Sequence, residues 1–146
     1  VCSSDLESAA LHAFVAEVEQ TIRDARPHDI LKNHGEQLTE ILTGLVATTE
    51  ALIKIRDVGD VNKFLANASI YLDTFGHVVI GRMWLKQASL AAQAVDEVEG
   101  EQRSFYLGKL QACQYFYRYE LSKLPERYAL LADADDTCLN MAEDWF

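Results

Sequence analysis

The chain has 146 residues, of which 13 are basic and 23 are acidic, so its formal net charge at pH 7 is −10. This length predicts one domain over residues 1–146, long enough to bury a hydrophobic core. The negative charge argues against nucleic acid and anionic membrane surfaces as partners, because their phosphate groups would repel it. No apolar run approaches the ~18–20 residues of a membrane-spanning helix, and we recognise no signal peptide.

The cysteine, proline and glycine contents indicate the cellular environment and the type of secondary structure. Cys2, Cys113 and Cys138 include no CxxC pair, and their odd number argues against a disulfide framework. We therefore expect a reducing, cytoplasmic location. Only 2 prolines and 7 glycines are present, which favours long helices over strands and turns. The chain starts at Val1, without a methionine, and we interpret it as a fragment or a processed form of a longer protein.

The first predicted helix starts at a capping box and ends before a proline. Ser4 and Glu7 have the S-x-x-E spacing in which each side chain accepts a backbone N–H of the other residue. Five apolar residues then recur at helical spacing: Leu11, Phe14, Val15, Val18 and Ile22. Pro27 disfavours helical backbone at the residue before it, so the helix should end there.

The second predicted helix precedes a tight link. Its apolar face carries Leu38, Ile41, Leu42, Leu45, Leu52 and Ile53. Gly59 is the expected stop of this helix, and Asp60 is the expected N-cap of the next one. Such a short link predicts that the two helices are antiparallel neighbours.

The third predicted helix runs without interruption over residues 61–98 and is apolar on two sides. One stripe is expected to face the core: Phe64, Ala68, Tyr71, Leu72, Phe75, Val79, Met83 and Leu90. A second stripe lies more than a quarter turn away: Ile70, His77, Ile80, Gly81, Trp84, Ala88, Ala91 and Val95. Two apolar sides indicate two packing partners. The acidic run at residues 96–101 should end this helix.

The fourth predicted helix starts near Gln102, and its core stripe contains Tyr106, Leu110, Cys113, Tyr117, Leu121 and Leu124. Pro125 must end or kink it, because proline removes one backbone hydrogen bond and collides with the preceding turn. Leu130 and Leu131 should continue it briefly. Four long amphipathic helices with short links predict an all-α fold, an up-and-down four-helix bundle with antiparallel helices.

The histidines do not form a recognisable metal site. The four are His12, His28, His34 and His77, and none has the i, i+3 or i+4 spacing to another that a local zinc pair needs. The Glu-x-x-His pairs of di-iron bundles are missing as well. We expect His77 to be a packed histidine, with a catalytic role as the less favoured alternative. His34, in KNHG at residues 32–35, matches an exposed phosphotransfer histidine only loosely.

The acidic sequence DADD at residues 133–136 resembles the first positions of a calcium-binding loop. The sixth position would be Cys138, where glycine is required, and the twelfth would be Asp144, where a bidentate glutamate is usual. We therefore expect a solvated acidic loop. The sequence also contains no glycine-rich phosphate cradle and no nucleophile elbow. We predict no catalytic, cofactor-binding or metal-binding residue in this chain.

The fourth helix and its continuation are locally basic and aromatic. A stripe beside the core stripe contains Phe105, Ala112, Phe116 and Tyr119, and the basic residues are Arg103, Lys109, Arg118, Lys123 and Arg127. Two interpretations stay open. The helix contacts an anionic partner, or its long side chains simply cover apolar surface.

Two stretches of the sequence resemble a known domain. One is ANASIYLDTFG at residues 66–76, which is followed by Trp84 and by ASLAA at residues 88–92. The other is FYLGKL at residues 105–110, which continues through Phe116 to Leu124 and Pro125, with a terminal Phe146. Together they are similar to the extra C-terminal helical domain of acyl-CoA dehydrogenases, in the branch that acts on 3-methylthiopropanoyl-CoA. The resemblance covers most of residues 38–146, whereas residues 1–37 contain no motif that we recognise.

This resemblance implies an accessory role in a flavoenzyme of fatty acid metabolism, either in assembly or in closing the active site. The FAD and the glutamate base of such enzymes belong to the preceding domains, so no catalytic residue is transferred to this chain. The expected partners are those domains and further copies of the parent, as in a homo-oligomer. The alternative is a free-standing helical adaptor or signalling module that binds a partner protein.

The second stripe of the third helix is our predicted docking interface. An isolated bundle needs one broad apolar stripe per helix, so this stripe is surplus. Its members are Ile70, Ile80, Gly81, Trp84, Ala88, Ala91 and Val95. We expect it to contact the dehydrogenase domains or a second subunit, with Trp84 as the anchor, because interface hot spots are rich in tryptophan. The alternative is that Trp84 belongs to the core of the bundle.

Overall fold

The computed structural model describes the backbone of residues 2–145 and the side chains of residues 9–145. The helices are α1 (Cys2–Ala25), α2 (Lys32–Asp57), α3 (Val61–Leu65), α4 (Ala68–Ala94), α5 (Gly100–Tyr119) and α6 (Leu124–Ala132). Short 3₁₀ turns cover Asp29–Leu31, Leu121–Lys123 and Glu143–Trp145. The described residues contain no strand, which confirms the prediction of an all-helical fold.

The predicted ends of the first two helices are largely confirmed. α1 ends at Ala25, before Pro27, and α2 ends two residues before Gly59, whose φ of +90° ends the helix. Asp60 caps α3, because its Oδ1 atom accepts the backbone N–H of Lys63 at 3.0 Å. The predicted capping box lies in a part of α1 whose side chains are outside the described residues, as does Phe146 at the other end.

The third helix is not continuous, which corrects the prediction for residues 61–98. α3 ends at Leu65, and α4 starts at Ala68 and ends at Ala94. Between them, Asn67 leaves helical geometry, with φ −118° and ψ 26°, and its side-chain amide donates to the backbone oxygen of Asp135 at 2.8 Å. The break is therefore fixed by a loop 68 residues further along the chain.

Pro125 starts a helix instead of ending one. α5 ends at Tyr119, a 3₁₀ turn follows, and Pro125 lies in the first turn of α6. Proline is well tolerated there, because the N–H groups of a first turn have no partner within the helix. Leu130 and Leu131 are helical, but they belong to the separate helix α6 and do not continue the fourth helix as predicted.

α4 and α2 are the two central helices of the fold, since α4 packs against α1, α2, α5 and α6, and α2 packs against all five other α-helices. The finer prediction of an up-and-down four-helix bundle is not confirmed, because α1 packs against both α2 and α4 and because α6 adds a further helix over α2 and α4. The fully buried core joins all these helices through Val18, Leu38, Leu45, Val78, Leu85, Tyr117, Leu121 and Leu124. No helix in the described part of the chain is long and apolar enough to cross a bilayer.

Candidate functional site

α4 is apolar around most of its circumference. Its 27 residues include only three with full charges, Asp73, Arg82 and Lys86. Two of these are engaged in ion pairs with other helices, Asp73 with Arg127 on α6 and Arg82 with Glu17 on α1 at 2.8 Å. A helix that is apolar on all sides is normally covered on all sides. The covering helices of this chain leave one side of α4 open.

The open side of α4 is a stripe of large apolar side chains. Leu72 is 72% exposed, Ile80 46%, Met83 47% and Leu90 60%. Their spacing places them on neighbouring turns of one side of the helix. Gly76 lies among them, and a Cβ atom there would meet no atom within 4 Å. This side of α4 is therefore uncovered within the described residues.

α5 presents an exposed aromatic edge beside α4. Phe105 is 60% exposed, Tyr115 56% and Tyr119 58%, and the rings of the two tyrosines stack with centroids 4.8 Å apart. Ala112, which is half-buried, continues the same edge at helical spacing. The stripe predicted from the sequence beside the core of this helix is thus an exposed surface, except for Phe116, which packs against the core.

These two surfaces flank one line of contact between α4 and α5. His77 on α4 stacks on Phe116 of α5 with ring centroids 6.1 Å apart. Further along, the ammonium group of Lys109 lies 5.6 Å from the ring centroid of Trp84 and 5.3 Å from that of Phe105. By helical geometry, the stripe of α4 and the edge of α5 both lie on the solvent side of this line. We call them together the α4–α5 face, with these members: Leu72, Ile80, Met83, Leu90, Phe105, Ala112, Tyr115 and Tyr119.

The α4–α5 face is large for a monomer. Its seven large side chains, each about half exposed, offer on the order of 800 Å² of surface, given ~150–250 Å² for a large side chain. Contiguous apolar patches on monomers rarely exceed a few hundred Å². About 800 Å² is what each partner contributes to a stable protein interface. The face is therefore a candidate docking surface.

The residues of the predicted docking interface occupy different environments. Gly81, Ala88, Ala91 and Val95 are buried inside the chain, and Trp84 and Ile70 are half-buried, with Trp84 packed on the core. Ile80 alone of the seven lies on the α4–α5 face. In contrast, Leu72, Met83 and Leu90, which were expected to face the core, are among the exposed side chains. Part of the expected core stripe is thus exposed, although Tyr71 and Phe75 do pack on the core, and four members of the predicted docking interface are buried within the chain.

The histidines singled out by the sequence lie in packed positions. His34 is 8% exposed and meets the ring of Tyr117 edge-on at 4.9 Å. Burial lowers the pKa of His34, against weaker opposing effects of Gln114 and Ile30. A phosphotransfer histidine has to reach solvent, so this environment does not suit that role. His77 is packed, as predicted, and its Nδ1 atom lies 2.8 Å from the backbone oxygen of Asp73.

The acidic loop after α6 is held by its own hydrogen bonds and one ion pair. Asp135 accepts the backbone N–H and the hydroxyl of Thr137, at 3.2 and 3.1 Å. Asp136 pairs with Lys63 at 3.3 Å. In the part of the chain that the structure describes, no three side chains of histidine, cysteine, aspartate or glutamate are placed to hold a metal ion.

The glycines do not fit the phosphate groups of a flavin nucleotide. Five of the seven lie inside helices, where they cannot form a phosphate loop. Gly59 follows the C-terminal end of α2, whose partial negative charge repels anions. Gly100 starts α5, but Glu97, Glu99 and Glu101 surround it in sequence. The described residues therefore contain no glycine-rich loop that could hold a phosphate group.

An apolar cleft opens between α1, α2 and α4 on the opposite side of α4 from the α5 contact. Its volume is about 740 Å³, and its walls include Ala10 and Val15 of α1, Val46 of α2, and Ala68, Tyr71 and Phe75 of α4. Phe75, which lines the cleft, contacts Phe14 of α1 with ring centroids 4.8 Å apart. This cleft was not predicted from the sequence, because its walls come from several helices that are far apart along the chain.

The chain matches a known protein family over most of its length. Residues 14–142 match the family described as "Acetyl-CoA dehydrogenase C-terminal like". The match begins inside α1 and includes all of α2 to α6, and so it contains both the α4–α5 face and most of the cleft. A comparison with curated proteins finds no match.

Proposed function

The chain belongs to the acetyl-CoA dehydrogenase C-terminal-like family, and from this we propose that it is an accessory domain of an FAD-dependent acyl-CoA dehydrogenase. Its proposed task is to dock on the other domains of that enzyme, or on a neighbouring subunit, and so to support assembly or closure of the active site. The parent reaction is the α,β-dehydrogenation of an acyl-CoA thioester. We further propose the branch that acts on 3-methylthiopropanoyl-CoA and a cytoplasmic location.

The observation that carries this proposal is the uncovered α4–α5 face. The most apolar helix of the chain leaves Leu72, Met83 and Leu90 in solvent, although a helix of this composition is normally buried. Exposed tyrosine and phenylalanine side chains on α5 extend the surface, and aromatic residues are enriched at the centres of interfaces. A domain that is covered by the rest of a larger enzyme accounts for this surface.

The charge distribution supports docking by this face. The chain as a whole carries a net charge of −10, whereas α5 contains three basic residues, Arg103, Lys109 and Arg118, and one acidic residue, Glu101. The face is thus among the least acidic surfaces of the chain. An apolar patch with depleted charge can be desolvated at low cost, unlike the carboxylate-rich surfaces of α1 and the acidic loop.

The catalytic groups of the reaction are assigned to the parent enzyme in this proposal. FAD, when bound by the preceding domains, accepts the hydride from the β-carbon of the acyl group. The residues of this chain would exclude water and stabilise the assembled enzyme. In this proposal they contribute no proton transfer.

Hydroxyl-radical footprinting of the full-length enzyme tests the docking. The two methionines form a matched pair, since Met83 on the face is 47% exposed and Met141 near the C-terminus is 50% exposed. In the isolated chain both should be oxidised at similar rates. In the full-length enzyme Met83, Tyr115 and Tyr119 should become protected, while Met141 should stay reactive.

Charge substitutions on the face provide the second arm of the test. Met83→Glu with Leu90→Glu should weaken assembly of the full-length enzyme, because two carboxylates would have to be desolvated in the interface. Val58→Glu is the control, since Val58 is 83% exposed on a different part of the surface. Equal oxidation of Met83 in both proteins, with unchanged assembly of the double variant, would contradict the proposal. A gene that encodes no flavoprotein domain would favour the free-standing adaptor.

A further inference from the structure

The cleft between α1, α2 and α4 has the properties of a ligand site. Its volume of about 740 Å³ lies in the range of roughly 300–1,000 Å³ that is typical of small-molecule pockets. Most of the residues that line it are aliphatic or aromatic, with a few polar groups among them. It lies apart from the α4–α5 face, so docking of the domain does not explain it.

One polar pair inside the cleft has a defined hydrogen-bond direction. The hydroxyl of Thr49 on α2 donates to the backbone oxygen of Leu45 at 2.7 Å, as is usual for a threonine within a helix. The hydroxyl of Tyr71 on α4 lies 2.8 Å from the same Thr49 oxygen. Since the single proton of Thr49 is already used, Tyr71 must be the donor of this second bond. The phenol oxygen of Tyr71 therefore keeps its lone pairs available as acceptors.

The charged groups at the rim disfavour an anionic ligand. The charged residues that line the cleft are two carboxylates, Glu50 and Asp57, and one guanidinium, Arg56, and the imidazole of His12 lines it as well. Arg56 is already paired with Asp57, with a distance of 3.1 Å between Nη2 and Oδ1. A carboxylate or phosphate ligand would therefore meet a rim with an excess of negative charge, whereas an uncharged ligand would not.

We propose that this cleft binds an uncharged, elongated amphiphile, a long-chain alcohol or a compound of the same type. Its aliphatic chain lies between Val15, Val46 and Phe75, and its hydroxyl group donates a hydrogen bond to the phenol oxygen of Tyr71. The apolar walls supply most of the affinity, and the tyrosine selects a ligand with a hydrogen-bond donor.

Fluorescence of 1,6-diphenylhexatriene tests the site, because this apolar probe has no hydrogen-bonding group. The probe should bind the isolated chain, and 1-decanol should displace it. Decanoate at pH 8 should need a concentration about tenfold higher, since its carboxylate meets the acidic rim. Displacement by decanoate as effective as that by decanol would overturn the assignment of an uncharged ligand.

Two substitutions that fill the cleft test whether the probe binds there. Ala68→Trp and Ala10→Trp place an indole ring at the mouth from opposite walls, and both alanines are exposed, so the fold should tolerate them. Each should weaken probe binding about tenfold. Ala94→Trp, at the other end of α4, is the control for the introduction of a tryptophan outside the cleft. Met83→Glu is a second control, which tests whether the probe binds to the α4–α5 face instead. Neither should change probe binding by more than about twofold. Probe binding that survives both cleft variants would refute the site.

Removal of one hydroxyl tests the proposed hydrogen bond. Tyr71→Phe should weaken decanol binding about fivefold and leave binding of the apolar probe unchanged, as expected for the loss of one hydrogen bond. An equal loss for probe and alcohol would show that Tyr71 only shapes the cleft. Circular dichroism melts of each variant confirm that the comparison is made between folded proteins.

Discussion

The hydroxyl of Tyr117 on α5 donates a hydrogen bond of 3.0 Å to the backbone carbonyl oxygen of Gly81 on α4. The ring is 1% exposed, and burial raises the pKa of the hydroxyl well above its ordinary value, so the group stays protonated. Leu121 packs on the same glycine from the turn after α5, and its Cδ1 atom would lie 2.8 Å from a Cβ at this position. Gly81 therefore sets how closely the end of α5 approaches α4.

Loss of the Tyr117 hydroxyl should destabilise the fold measurably. Tyr117→Phe leaves the ring in place but removes the donor, so the free energy of unfolding should fall by about 1–3 kcal/mol. Urea denaturation followed by circular dichroism measures this change. Tyr119→Phe is the control, because its ring is 58% exposed and its substitution should change the free energy by less than about 0.5 kcal/mol. Equal effects of the two substitutions would show that the buried bond contributes nothing.

Two glycines of α4 should respond to alanine in opposite directions. Gly81→Ala places a methyl group against Leu121, which is fully buried and has little room to move, so the free energy of unfolding should fall by about 1–3 kcal/mol. Gly76→Ala meets no atom within 4 Å, and it should raise the free energy by about 0.5–1 kcal/mol through its higher helix propensity. Denaturant midpoints of the two variants measure both effects. A stabilising Gly81→Ala would mean that the approach of Leu121 is looser than the structure shows.

The ends of helices were predictable because they depend on nearby residues. The Asp60 cap and the stop at Gly59 both follow from side-chain and backbone preferences within a few positions of the helix end. The break before α4 was not predictable in this way. It involves a hydrogen bond from Asn67 to Asp135, and no local pattern reveals a partner at that distance.

The sequence also did not allow a prediction of which side of α4 is buried. Periodicity identifies the core side of a helix by contrast with a polar side, and α4 has little polar surface to provide that contrast. Which stripe is covered depends on where α1 and α5 pack, and this placement buries Gly81 and Ala88 and exposes Leu72. The sequence did correctly indicate that this helix has more apolar surface than one core needs. It predicted a docking function, but it did not identify which side chains of this helix are exposed.

Thiol reactivity should separate two cysteines of the folded chain. Burial raises the pKa of the Cys113 thiol to about 12, and the side chain is fully buried, whereas Cys138 is exposed. A thiol reagent at pH 8 should therefore modify Cys138 within minutes and Cys113 only after unfolding, because the thiolate is the reactive form. Cys2→Ser provides a background with these two thiols. Mass spectrometry with and without urea gives the result, and rapid labelling of Cys113 in the native protein would contradict the buried position of α5.

The free energy of unfolding should depend on pH through His34. Burial lowers the pKa of this histidine below its ordinary value of 6.5, so the unfolded chain binds the proton more readily than the folded chain. The contribution of neutral His34 to the free energy of unfolding is therefore fully present above pH 6.5 and decreases as the pH falls below that value. His34→Gln removes the titrating group, and the free energy of unfolding should then change less between pH 7 and pH 5. His28→Gln, at a half-exposed position in the link between α1 and α2, is the control for the substitution of a histidine by glutamine. Urea titrations at several pH values give the slope for each protein. An unchanged slope in His34→Gln would show that another group causes the acid sensitivity.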